Sequence, residues 1–297
     1  MKEFTAACVQ IGVTPNDPQA NIEKSLLWLE KAVKEYQADL VVFPETVTTG
    51  FDTGLSPEEL WDLIDEVPGN TSQKIQAAAA KYGVHLVWPT YRRAGERGRI
   101  LNSAVLIGPD GEVIGIYDKT HPFPGERRDY GGWTEAGTSA DVYETELGTI
   151  GMIICYDGDF PELSRLLAVK GAEVIVRPSA LLRSYDIWYI TNCARAYDNH
   201  VYMVSTNMLG PDAGGNYYFG HSMIVNPIAW RLAQARGTEE IIAAKLDPDP
   251  LRYITWGSKS VQPFDHLEDR NLALYEEILK EARSKFEPGK RYQKKDS

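Results

Sequence analysis

Three reactive side chains each stand just past an apolar run. Glu45 follows Val41-Val42-Phe43-Pro44, Lys119 follows Ile114-Gly115-Ile116-Tyr117-Asp118, and Cys155 follows Ile150 to Ile154. Short apolar runs of this kind read as buried strands, and in α/β sheets sites form at the carboxyl ends of strands. A carboxylate, an ammonium and a thiol meeting there make a coherent chemical set. The carboxylate takes the thiol proton, the thiolate attacks a carbonyl carbon, and the ammonium stabilises the oxyanion. Each residue also has a plainer reading: a strand-end Glu or Lys is often a solvated or ion-paired boundary residue, and a lone Cys is often core.

The stretch around the cysteine carries the most local detail. After Ile150 to Ile154 and Cys155 come Asp157-Gly158-Asp159 and Pro161-Glu162, then Leu163-Ser164-Arg165-Leu166-Leu167-Ala168. This order reads as buried strand, sharp turn and new helix. A thiol facing a helix N-terminus feels the positive end of the dipole, so the thiolate is expected to be favoured. Cys8 and Cys193 sit in strand-like and helix-like apolar patterns and read as core. Three distant cysteines without C-x-x-C argue against a disulfide framework or a zinc knuckle. The histidines, His85, His121, His200, His221 and His266, show no metal-binding spacing, so neither metal nor cofactor is expected.

The elements that must carry these residues alternate. Strands are predicted over Phe4 to Ile11, Leu40 to Phe43, Val84 to Trp88, Asn102 to Ile107, Val113 to Tyr117, Ile150 to Ile154, Glu173 to Val176, Val201 to Thr206, Ser222 to Val225 and Ile241 to Leu246. Helices are predicted from Pro18 to about Tyr36, Pro57 to Ile64, Thr71 to Tyr82, Leu163 onward, Tyr185 to Asn199, and Leu267 to Phe286. Gly108-Pro109-Asp110-Gly111 marks a hairpin, and Asp118 to Ser139 is a long Gly- and Pro-containing segment of the sort that is usually functional. The pattern indicates an α/β chain with mixed sheets whose second faces are covered. With no linker and no repeat, residues 1–297 read as one domain, with a core over about 4–246 and a C-terminal helix and tail over about 264–297.

Net charge is −11, which disfavours nucleic acid as a partner. No apolar run reaches the ~18 residues needed to span a bilayer, and the first residues lack a signal-peptide core. A cytoplasmic protein is therefore expected, with the basic run Lys290 to Lys295 as a frayed end.

Taken together, three blocks resemble the nitrilase superfamily of carbon–nitrogen hydrolases: Phe43-Pro44-Glu45; Tyr117-Asp118-Lys119-Thr120-His121; and Ile153-Ile154-Cys155-Tyr156-Asp157 with Phe160-Pro161-Glu162. Gln10, Lys170-Gly171-Ala172-Glu173, Ala194 to Asn199 and Phe219-Gly220-His221-Ser222 support the match, which runs from residue 4 to about 246. The resemblance implies a single-domain αββα sandwich that pairs as a four-layer αββα–αββα homodimer or assembles further. It implies Glu45 as general base, Lys119 as stabiliser of the tetrahedral intermediate, Cys155 as nucleophile and the Tyr156 N–H as the other oxyanion donor. Glu126, seven residues beyond Lys119, is implied as the substrate-positioning glutamate, the alternative being an ion pair with Arg127 or Arg128.

Within the superfamily the flanks of the cysteine discriminate. Nitrilases typically carry Trp-Glu where this chain has Tyr156-Asp157. Carbamoylases usually place arginines where it has Gly158 and Asp159. Asp157-Gly158, Arg177 and Tyr218 to Ser222 look similar to aliphatic amidases and formamidases. The expected activity is thus a cysteine-dependent amidase acting on a small amide and water through a thioester. An N-carbamoyl amine hydrolase is the alternative, ahead of a nitrilase or a non-catalytic amide-binding protein. Arg177 and Asp198 depart from the wider pattern and read as local ion-pair residues.

Overall fold

The computed structural model describes residues 1–252, 254–255 and 261–294, so Lys295 of the basic run lies outside the described residues. Two mixed sheets stack face to face, each with helices on its outer side. In chain order the first sheet takes β1 (Phe4–Gln10), β2 (Leu40–Val42), β3 (His85–Arg93), β4 (Ile100–Ile107) and β5 (Val113–Asp118). The second takes β6 (Val142–Thr145), β7 (Gly148–Met152), β8 (Val174–Ser179), β9 (Tyr202–Asn207), β12 (Met223–Val225) and β13 (Arg231–Gln234). A ribbon of β10 (Leu209–Pro211) and β11 (Tyr217–Phe219) precedes β12, and β14 (Glu240–Leu246) returns to β1. The sheet orders are β14-β1-β2-β3-β4-β5 and β13-β12-β9-β8-β7-β6. β1, β2 and β3 run parallel, as do β7, β8 and β9.

Strand periodicity explains the layers. In β1, Ala6 and Cys8 face the second sheet, whereas Ala7 and Val9 join the core under the helices. Leu40 and Val42 likewise split from Val41, and Ala104 and Leu106 from Val105 and Ile107. A strand buried on both faces must be apolar at every position, which is why these runs show no alternation. Helices α1 (Pro18–Tyr36) and α3 (Asn70–Tyr82) cover the first sheet through Ile22, Leu29, Ala32, Ile75 and Ala79. Helices α4 (Pro161–Val169) and α5 (Tyr185–Asn199) cover the second with Leu163, Leu167, Trp188 and Ala196, while the short α2 (Pro57–Leu63) packs apart with Tyr91. Side-chain caps begin three of them: Asp17 for α1, a Ser56–Glu59 capping box for α2, and Ser184 for α5. Among the described residues no helix is long and apolar enough to cross a membrane.

The αββα architecture and the order of its main elements match the sequence reading. The principal correction is at the C-terminus. The spacing from Leu267 to Phe286 predicts an amphipathic helix, but the segment forms only a 3₁₀ stretch, Leu272–Leu279. Leu272, Leu274, Ile278 and Leu279 are each more than half exposed there. Helical stability comes mostly from packing an apolar face, and most of this one stays in solvent. The short strands β6, β10, β11 and β13 also escaped the reading, because their runs are brief and partly polar.

Candidate active site

Glu45 lies three residues past β2, and the strand order brings it against the end of β8 in the other sheet. Its backbone N–H donates to the Ser179 carbonyl at 3.4 Å, and its Oε2 accepts from the Ala180 N–H at 2.7 Å. Oε1 accepts from Lys119 Nζ at 2.8 Å and from Asn102 Nδ2 at 2.7 Å. Lys119 follows β5 directly, and its Nζ also meets Glu126 Oε1 at 2.6 Å. The side chains of Glu45, Lys119 and Glu126 are all sealed from solvent. Glu126 is oriented in turn by the Phe123 N–H at 2.8 Å, and it pairs with neither Arg127 nor Arg128 through any of these bonds. Arg127 is taken by Asp129, and Arg128 by Glu135.

One cation thus sits between two buried carboxylates. Burial alone would lower the Lys119 ammonium, but the charges of Glu126 and Glu45 outweigh it and hold the group above its ordinary range. Glu126 is raised, chiefly by desolvation, with Lys119 opposing. Removing charges from water is expensive unless they are paired and hydrogen-bonded, and Asn102 and the two backbone donors supply those bonds.

Cys155 opens the turn Cys155–Asp159, a single 3₁₀ stretch between β7 and α4. Its φ is +45°, a left-handed value that a non-glycine residue adopts only when its surroundings impose it. Asp157 braces this turn. Its buried carboxylate accepts from the Ile154 N–H at 2.9 Å, the Tyr117 hydroxyl at 2.8 Å and the His121 N–H at 2.9 Å. The cysteine turn is thereby tied to the loop that carries Lys119. His121 adds its ring to Asp157 at 3.0 Å and stacks on Phe160, 4.0 Å between centroids.

The thiol's electrostatics correct the sequence expectation. Cys155 is pushed up to about 12, first by burial and then by the charge of Glu45; Lys119, Arg177 and the Ala180 N–H oppose this but do not prevail. The helix α4 starts six residues later, at Pro161. At neutral pH the proton stays on the sulfur until a base removes it.

Arg177 also differs from its reading as a local ion-pair residue. It is fully buried in β8, and its Nε and Nη2 donate to the carbonyl oxygen of Cys155 at 2.9 and 2.6 Å. Asp159 lies at 3.7 Å and is the lesser partner. Asp198 does pair locally, with Arg195 at 3.7 Å. Cys8 and Cys193 are core, as expected. Asn102 had been read only as a strand residue; the available signal was a buried amide in an otherwise apolar run.

Cys155 and Tyr156 line a cavity of about 350 Å³ with Phe51, Phe123, Trp133, Leu181, Asp52, Arg183 and Asn216. Tyr292, from the run read as a frayed end, reaches this cavity and stacks on Tyr130, 6.3 Å between centroids. Larger, more open grooves on the outer faces of α1 and of α4 with α5 hold none of the converging residues.

Comparisons with known proteins identify the family and the fold. The sequence profile of the carbon–nitrogen hydrolase family matches residues 5–254. A probable nitrilase of Schizosaccharomyces pombe is 29% identical over 281 residues, covering 92% of this chain and 97% of that protein. A formamidase of Bacillus cereus is 31% identical over 255 residues, covering 83% of this chain and 74% of that protein. The crystal structure of a carbon–nitrogen hydrolase from Helicobacter pylori superposes with a TM-score of 0.80 at 25% identity, covering 94% of this chain and 99% of that one. With a family profile spanning most of its length and the matching sandwich beneath it, this chain belongs to the carbon–nitrogen hydrolases of the nitrilase superfamily.

Proposed function

We propose that this enzyme is a cysteine-dependent amidase that hydrolyses a small carboxylic amide to the acid and ammonia. The observation that carries the reading is the sealed Glu45–Lys119–Glu126 cluster set against Cys155, the residue that opens onto the cavity. A neutral, buried thiol needs a base at hand, and Glu45 is the group whose charge bears most strongly on it. In this reading Glu45 takes the Sγ proton as sulfur bonds to the amide carbon. The carbonyl oxygen gains the electron pair and is met by Lys119 Nζ and the Tyr156 N–H. Glu45 then returns the proton to nitrogen, the C–N bond breaks, and ammonia leaves a thioester. Water, deprotonated by Glu45, attacks that thioester, and the thiol is regenerated with the acid. Glu126 holds Lys119 in place, and in this reading it accepts from the substrate amide.

The cavity favours a small neutral amide. Its walls are mainly aromatic and aliphatic, and Arg183 is already held by both oxygens of Asp159, at 2.5 and 2.9 Å. Among the described residues lining it, no guanidinium is left uncommitted for the carboxylate of an N-carbamoyl amino acid. A panel of simple amides, nitriles and N-carbamoyl amines, scored for ammonia, is expected to give turnover with the amides. Carbon dioxide released alongside ammonia would favour the carbamoylase, and acid formed faster from nitriles than from amides would favour a nitrilase. Intact-mass spectra with acetamide and hydroxylamine are expected to show an acyl adduct and hydroxamate, which an amide-binding protein without chemistry would not form.

Glu45→Gln tests the base. The substitution keeps size and an acceptor for Lys119 but cannot take a proton. Steady-state ammonia release is expected to lose about 10³-fold in kcat with KM changed little. A variant retaining wild-type kcat would remove Glu45 from the mechanism.

A further inference from the structure

We infer that Arg177 is a positioning residue for the oxyanion site: by gripping the carbonyl of Cys155 it fixes the peptide plane whose other end is the Tyr156 N–H. The inference rests on the reading of Cys155 as nucleophile and of that N–H as an oxyanion donor. Its physical basis is the planarity of the peptide unit. In a trans peptide the C=O and the following N–H point in opposite directions, so holding one aims the other. Nε and Nη2 of Arg177 both donate to the Cys155 oxygen, at 2.9 and 2.6 Å. Two donors on one acceptor restrain rotation of the peptide more than one would, and they polarise it, making its N–H a stronger donor. The grip matters here because the residue has φ +45°, a conformation the chain does not hold unaided.

The guanidinium is itself held on every side. Nη1 donates to Thr191 Oγ1 at 2.8 Å and to Asn192 Oδ1 at 3.0 Å, and Ser205 Oγ donates to the same Asn192 oxygen at 2.9 Å. The Trp188 ring lies 5.1 Å away. Gly158 completes the cradle: a Cβ there would fall 2.1 Å from the guanidinium carbon. Gly158 has no positive φ to require glycine, and the atoms nearest an added Cβ all belong to the Arg177 guanidinium. Burial lowers Arg177 to about 10, which leaves it cationic at neutral pH. The charged groups facing the pair are Asp159 from the same turn, Arg183 from the loop after β8, Arg195 from α5, and Glu45 and Lys119 across the sulfur.

The test separates acyl transfer, which builds an oxyanion, from simple alkylation of the thiol, which does not. Arg177→Met and Arg177→Lys are compared with wild type for kcat and KM on the amide found by the panel, and for the rate of Cys155 alkylation by iodoacetamide. For Arg177→Met, kcat is expected to fall about 10²- to 10³-fold, the loss typical of one oxyanion donor, with KM and alkylation each within about fivefold. Arg177→Lys keeps one donor and is expected to regain about tenfold of that kcat. Gly158→Ala supplies the same test without removing the arginine, because its methyl displaces the guanidinium, and it is expected to show the same split. If Arg177→Met does not fold, the Gly158→Ala result decides. A kcat within about threefold of wild type, or a fall shared equally by turnover and alkylation, would overturn the inference. The amidase reading itself is judged on wild type and on the cysteine variant, so the two failures are distinguishable.

Discussion

Cys155→Ala is expected to abolish amide hydrolysis while leaving the sandwich folded. Turnover should drop by about five orders of magnitude or to the detection limit, because acylation has no other route once the sulfur is gone. The melting temperature should move by only about 3 °C, since the substitution deletes one atom facing the cavity and no hydrogen bond of the Asp157 network. Asp157, Tyr117 and the Arg177 grip on the Cys155 carbonyl use groups that alanine retains. Ammonia release and a thermal melt on the same preparation check both halves. A folded variant still turning over at near wild-type rates would end the nucleophile assignment.

The second large effect is expected at Lys119, and there it reaches both turnover and stability. Lys119→Met keeps the length of the side chain but leaves Glu45 and Glu126 facing a space from which the shared cation has gone. Breaking a buried pair strands uncompensated charge, and about 3–5 kcal/mol of stability should be lost. One of the two carboxyls then takes up a proton to avoid like-charge repulsion. The oxyanion has lost its ammonium, so kcat should fall by at least about 10³-fold. Urea unfolding measures the first effect and ammonia release the second. A stable variant with little loss of kcat would exclude Lys119 as the oxyanion stabiliser.

What could be read from the sequence followed what is local in it. Glu45, Lys119 and Cys155 stand out because a strand end is marked by its own neighbours, and the layered fold follows from apolar runs such as Leu40–Val42 and Val174–Val176. Asn102 and Arg177 lie inside strands, where the direction of a side chain depends on register and on which sheet packs opposite. Nothing beside Arg177 in the chain announces that the carbonyl of Cys155, twenty-two residues earlier, will accept from it. The thiol was misjudged for the same reason. A helix start is a local signal, but desolvation and the charge of Glu45 come from the assembled pocket. At the C-terminus local periodicity was present and the surface needed to make it a helix was not.

Glu45 follows a strand of one sheet, yet it is held by the Ala180 N–H just past the end of β8 in the other. The spacing of Glu45 and Cys155 therefore depends on how two stacked slabs are aligned. A conservative swap deep between the slabs, at Val42, Met152 or Val176, acts on that alignment from well outside the pocket. Turnover becomes a gauge of how true the stack is, and it registers a slip of a fraction of an ångström that a melting curve passes over.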